Sequence, residues 1–184
     1  MKSFSFIKIR NNVFWLFFPV LFFLVITCTN NTQPSKNSNN NKMTRDSLIN
    51  FNKKVVKTED EEIGDFINRY QWNMKKTATG LRYMIYHKGN GPFAKKGQYA
   101  TINYSVRLLN GDLAYSSEQT GPREFEIGHG GVESGLEEGI LLLRVGDHVK
   151  FIVPSHLAFG LLGDQDKVPQ RATLVYDIEL IKLK

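Results

Sequence analysis

A single cysteine, Cys28, means that no internal disulfide can hold this chain of 184 residues. Its four histidines (His87, His129, His148 and His156) are scattered, with no His/Asp/Glu spacing that makes a metal site. There is no G-x-S-x-G, no P-loop and no Rossmann fingerprint. The one glycine cluster, "GHGG" at 128–131, runs into Glu133, Glu137 and Glu138, which would repel a phosphate, so it reads as a turn. Glu137 and Glu138 are adjacent and cannot both face one substrate, which excludes a glycosidase pair. No Lys/Arg-rich block with interleaved aromatics appears either. The formal charge of +6 includes Lys2, Lys8 and Arg10 at the extreme N-terminus; without those three, 21 basic residues face 18 acidic ones, a residue of +3. Nucleic-acid binding is excluded on that balance.

What the chain does have begins with a signposted leader. Basic residues up to Arg10 precede "VFWLFFPVLFFLVI" (13–26), apolar but for Pro19, and too short to span a bilayer comfortably. This is the n-region and h-region of an export signal, residues 1–27. Cys28 follows at once, and "VITC" resembles a bacterial lipobox, with Thr27 where Gly, Ala or Ser is usual. The resemblance implies lipidation at Cys28; an uncleaved anchor with an incidental cysteine is the alternative. Either way the expected location is the cell envelope, membrane-anchored and facing the periplasm. Residues 28–42 are polar and Asn-rich and read as a flexible tether.

Residues 43–75 read as a helical extension. One helix is expected over 45–57, with Leu48, Phe51 and Val55 as its apolar side. A second follows a capping box of Thr58 and Glu61, with Ile63, Phe66, Ile67 and Tyr70 at helical spacing. The extension is expected to cover one edge of the domain, or else to serve as a dimerisation or partner-binding arm.

From 76 to 184 the period is two. A hairpin with Gly80 in its turn, strands over 100–109, 124–128, 148–153 and 172–183, and an Asn110-Gly111 turn make an antiparallel sheet. Leu174, Tyr176, Ile178 and Leu180 share one face. A single short helix pattern, "SGLEEGILLLRVG", carries a capping box of Ser134 and Glu137, and has Gly139 in its middle at a cost of about 1 kcal/mol relative to Ala. The fold class is α+β.

The motifs "GQYATINYSVRLLNG", "PREFEIGHGGVESGLEEGILLLRVGDHVKFIVP", "LAFGLLG" and "VPQRATLVYDIELIKL" resemble the FKBP-type peptidyl-prolyl cis-trans isomerases over residues 97–184. The resemblance implies a bent antiparallel β-sheet wrapped over one short α-helix, which Gly139 would let lie close against the sheet. It implies isomerisation of X–Pro bonds, with no cofactor and no metal. Tyr104, Tyr115, Phe159 and Tyr176 are the expected catalytic residues. Phe125, Val132, Glu133, Leu136 and Val168 are the expected substrate-binding ones, with Leu136 as the floor. "LAYSS" (113–117) departs from the common F-D-S-S, so Ala114 stands for an aromatic wall and Tyr115 for an acid. Arg123 stands where an apolar aromatic is common. "AYSSEQTG" with "PSHLAFGLLGDQDKVP", behind such a leader, more narrowly resembles the FKBP-type lipoproteins associated with gliding motility. Proline-containing protein clients are the expected partners. A catalytically weak binding or chaperone module is the alternative that "AYSS" keeps open.

Overall fold

The computed structural model describes residues 38–184, with side chains from Thr44 onward. The export signal, Cys28 and most of the tether lie outside the described residues. Ser38–Tyr70 forms one helix, α1, so the last residues read as tether belong to it. It is also one helix where two were expected. Thr58 does not cap a new start: its hydroxyl donates back to the Lys54 carbonyl at 3.0 Å, a bond available inside a continuous helix. The helix ends where Gln71 takes φ 53° and the Trp72 N–H reaches back to the Ile67 carbonyl. No helix among the described residues is long and apolar enough to cross a membrane.

The sheet strands are β1 (Lys75–Lys76), β2 (Arg82–His87), β3 (Tyr99–Leu108), β4 (Leu113–Ser116), β5 (Arg123–Glu126), β6 (His148–Val153) and β7 (Leu174–Leu183). Two short helices join them, α2 (Ser117–Thr120) and α3 (Ser134–Ile140), with a 3-10 turn at Ser155–Leu157. All pairings are antiparallel, in the order β1-β2-β6-β7-β3-β4. The second half of β3 pairs with β4 and its first half with β5, so one long strand holds two short ones on the same edge. Register shifts at Thr101/Ile102 and Val106/Arg107 mark the bends.

The alternation of β7 decides what covers each face. Leu174, Tyr176, Ile178 and Leu180 point inward and meet Val149, Phe151 and Val153 of β6, with Leu136 and Ile140 of α3 closing the core. Gly135 and Gly139 make that closure possible. A Cβ at Gly139 would sit 2.6 Å from the Phe151 ring, and one at Gly135 2.5 Å from Val153, so only a bare helix face can approach this far. The capping box predicted for α3 does not form. Glu133 is the N-cap without a side-chain bond, and Glu137 instead accepts the N–H groups of Gly128 and Gly130, holding the glycine turn.

On the outer face, Ile152 and Val175 belong to the central strands β6 and β7 and would be wet without a cover. Ile63 and Phe66 of α1 supply it, with Ile67, Trp72, Met74 and Leu109 around them. The extension therefore covers a face rather than an edge. Its anchor is polar as well. Glu59 accepts from the Ser155 N–H (2.6 Å), the Ser155 hydroxyl (3.1 Å) and the Thr173 hydroxyl (2.7 Å). Asp60 pairs with Arg82 and Lys76.

Candidate active site

The inner face of the sheet opens into a cavity of about 570 Å³. Strand β3 contributes Tyr104 and Val106, β4 Tyr115, β5 Arg123 and β7 Tyr176; Gly131, Val132 and Glu133 come from the turn before α3. Ala158, Phe159 and Asp164 close it from the loop after the 3-10 turn. Alternation along β3 and β7 aims these rings inward, and α2 pins the first of them. The Ser117 hydroxyl both accepts the Tyr104 N–H (3.0 Å) and donates to the Tyr104 carbonyl (3.2 Å). The Tyr104 hydroxyl lies 3.1 Å from that of Thr120.

Tyr115 reaches across the mouth. Its hydroxyl donates to Asp164 Oδ2, whose other oxygen accepts the N–H groups of Asp166 (2.9 Å) and Val168 (2.7 Å). Donating its hydrogen bond to Asp164, and then burial, push the Tyr115 phenol up to about 12, so it stays protonated at neutral pH. Burial raises the Asp164 carboxyl, but the Tyr115 hydroxyl and the two backbone donors outweigh it and hold that group below its usual value. Tyr176 is 2% exposed, and burial, followed by the charge and hydrogen bond of Glu133, raises its phenol well above the ordinary range.

The structure brings together six of the nine residues expected from sequence: Tyr104, Tyr115, Val132, Glu133, Phe159 and Tyr176. Phe125, Leu136 and Val168 are buried members of the core cluster that also holds Tyr176. Ala114, 3% exposed, is also core. Sequence reasoning missed Asp164. Its signal was "GDQD", an Asp that can bond the backbone two residues on, next to Gln165 at φ 65°. A larger hollow, about 770 Å³, runs between α1 and the turn at 77–80, but no Phe, Tyr or Trp lines it.

The profile of the FKBP-type peptidyl-prolyl cis-trans isomerases matches residues 91–181. FK506-binding protein 1 of Dictyostelium discoideum is 32% identical over 106 residues, which are 57% of this chain and 99% of that protein. The chain belongs to the FKBP-type peptidyl-prolyl cis-trans isomerase family. A probable FKBP-type isomerase FkpA of Neisseria meningitidis is 38% identical over 111 residues, covering 60% of this chain and 40% of that protein. The chain thus spans less than half of the Neisseria protein and 66% of FK506-binding protein 2 of Dictyostelium discoideum. The crystal structure of FkpA from Escherichia coli superposes with a TM-score of 0.62 at 26% identity, over 80% of this chain and 68% of that one. AtFKBP13 superposes at 0.59 and 31%, over 61% of this chain and all of its own. Within this FKBP fold Tyr115, Arg123, Glu133 and Asp164 put polar groups among the rings that line the cavity.

Proposed function

We propose that the chain isomerises X–Pro peptide bonds in exported or envelope proteins, acting from a membrane to which Cys28 lipidation holds it. The observation that carries the catalytic reading is the cavity itself, with Tyr104, Phe159 and Tyr176 converging over α3 in a chain of this family. The reaction needs shape more than chemistry. Amide resonance keeps the X–Pro bond planar behind a barrier of about 18–20 kcal/mol. Twisting the bond uncouples nitrogen from carbonyl and makes the amide less polar. Aromatic walls solvate the planar form poorly and the twisted form comparatively well, and each 1.4 kcal/mol of that difference is worth about tenfold in rate. No proton or group is transferred. The leader and "VITC" support the anchored location, and "AYSSEQTG" with "GLLGDQDKVP" supports a role in a gliding-motility apparatus.

A protease-coupled assay on short X–Pro peptides tests this reading. Catalysed exchange that is lost on Phe159→Ala in a folded protein is the expected result; no acceleration by wild type would sink it. A second reading, a binding module with little turnover, is favoured by the Tyr115 hydroxyl being committed to Asp164. Wild type that holds unfolded clients yet leaves X–Pro exchange unchanged would decide for it.

A further inference from the structure

One oxygen in the cavity lacks a partner. The Glu133 side chain is 8% exposed and lines the cavity with the Tyr176 phenol beside its carboxylate, yet its Oε2 is buried and makes no hydrogen bond of normal geometry. The nearest cation, Arg123, stands off. Its Nη2 is spent on the Gly131 carbonyl at 2.7 Å, and its Nη1 is 3.9 Å from Oε2, close enough for an ion pair and too far for a hydrogen bond. A buried acceptor left unmade is costly, more so when charged, and a ligand that supplies a donor recovers that cost. The side chains that line the cavity include two carboxylates, Glu133 and Asp164, against one guanidinium, so a cationic donor is tolerated as well as a neutral one.

We propose that Glu133 is a specificity-determining residue, its buried oxygen accepting a hydrogen bond from the side chain of residue X in the bound X–Pro segment. This rests on the isomerase reading of the cavity and narrows its substrates to donors before proline, such as Thr, Ser, Asn or Lys. A purely apolar X leaves Oε2 as unpaired as it is without a ligand. Sites built to hydrogen-bond a substrate group discriminate strongly against the analogue lacking it. Arg123 is then a positioning residue, holding the carboxylate by charge without filling its lone pair.

The test is a set of acetyl-Ala-Xaa-Pro-Phe-amide peptides with a fluorinated Phe, titrated with the full chain and followed by fluorine NMR. Thr against Val and Lys against norleucine are matched in shape and differ in the donor. The spectra read affinity from shifts and cis–trans exchange from cross-peaks. The expected result is binding roughly tenfold tighter for Thr than for Val, and for Lys than for norleucine. Glu133→Leu should bring both ratios to about one, while Glu133→Gln, which keeps an acceptor oxygen, should retain a preference for Thr. Equal ratios in wild type, or ratios unchanged in a folded Glu133→Leu protein, overturn the proposal. Accelerated exchange with flat ratios leaves the isomerase reading standing and removes this one. Selective binding without accelerated exchange removes the isomerase reading and leaves Glu133 a determinant of recognition in a binding module only. Failure of every peptide to bind removes both.

Discussion

The two faces of the sheet are covered in different ways. The inner face meets a helix of seven residues whose two glycines let it come within a side chain's thickness of Phe151 and Val153. The outer face meets a helix of 33 residues; among those whose side chains are described, only Ile63 and Phe66 are fully buried. The inner contact is shape against shape, with nearly every participant fully buried. The outer one is a small apolar patch flanked by carboxylates that grip hydroxyls and cations. Length of helix is therefore a poor guide to attachment. Close approach decides it, because dispersion and burial both fall away with the first gap.

Breaking the inner contact should give the largest effect. Phe151→Ala opens a void beneath α3 and should cost about 3–5 kcal/mol in denaturant unfolding. Gly139→Ala attacks the same contact from the other side. Alanine is the better helix former by about 1 kcal/mol, yet its methyl would press on the Phe151 ring, and overpacking of this kind costs about 1–3 kcal/mol. Net destabilisation is expected, and a Gly139→Ala protein of unchanged or raised stability would show that α3 can lift off freely.

The outer contact should break more gently and by itself. Glu59→Ala removes the acceptor of two hydroxyls and one N–H, and leaves Thr173, 5% exposed, unpaired, for about 1–3 kcal/mol. Hydrogen exchange should then speed up in residues 59–67 while β6 and β7 keep their protection. Equal loss on both faces would mean that the two contacts are one cooperative unit.

At the cavity, Tyr115→Phe deletes the tie from β4 to Asp164. We expect a loss of stability of about 1 kcal/mol and a several-fold fall in kcat/KM for X–Pro peptides. Intact turnover with a looser 160–168 loop would show that the tie is purely structural.

The smallest effect concerns pH. The hydrogen bond from Lys76, helped by Arg82 and opposed by burial, lowers the Asp60 carboxyl below its ordinary 3.8. A depressed folded value contributes stability above 3.8 that is lost as pH falls through the lower folded value. Acid should therefore loosen α1 below about pH 4, and Asp60→Asn should abolish that dependence in exchange rates measured over 59–67.

Legibility in the sequence followed the range of the interaction. The face shared by Leu174, Tyr176, Ile178 and Leu180 is a local alternation and could be read directly. The turn at Asn110-Gly111 was equally local, whereas the need for a bare residue at 139 is set by Phe151 on another element and came only from the resemblance. Glu137 was not readable: its spacing from Ser134 matches a capping box, but the N–H groups of Gly128 and Gly130 compete for the same carboxylate. Thr58 failed for the opposite reason, since a hydroxyl inside a continuous helix can satisfy itself on the preceding turn. The cavity residues on β3 and β7 followed from pattern and resemblance together. Phe125, Leu136 and Val168 are buried in the core, and residue type alone cannot tell a wall residue from a core one. The turn built on Asp164 is local, but its tie to Tyr115 spans 49 residues, which no local pattern encodes.

The grip of Glu59 on Thr173 has a consequence for the order in which the molecule is made. Those residues are 114 positions apart, and Ser155, the other partner, is 96 away. A chain synthesised from its N-terminus completes α1 long before β7 exists, so Ile63 and Phe66 have nothing to cover until almost the last residue has emerged. Helix α1, made early, is thus among the last elements to dock, and its apolar stripe stays open to other chains throughout that interval.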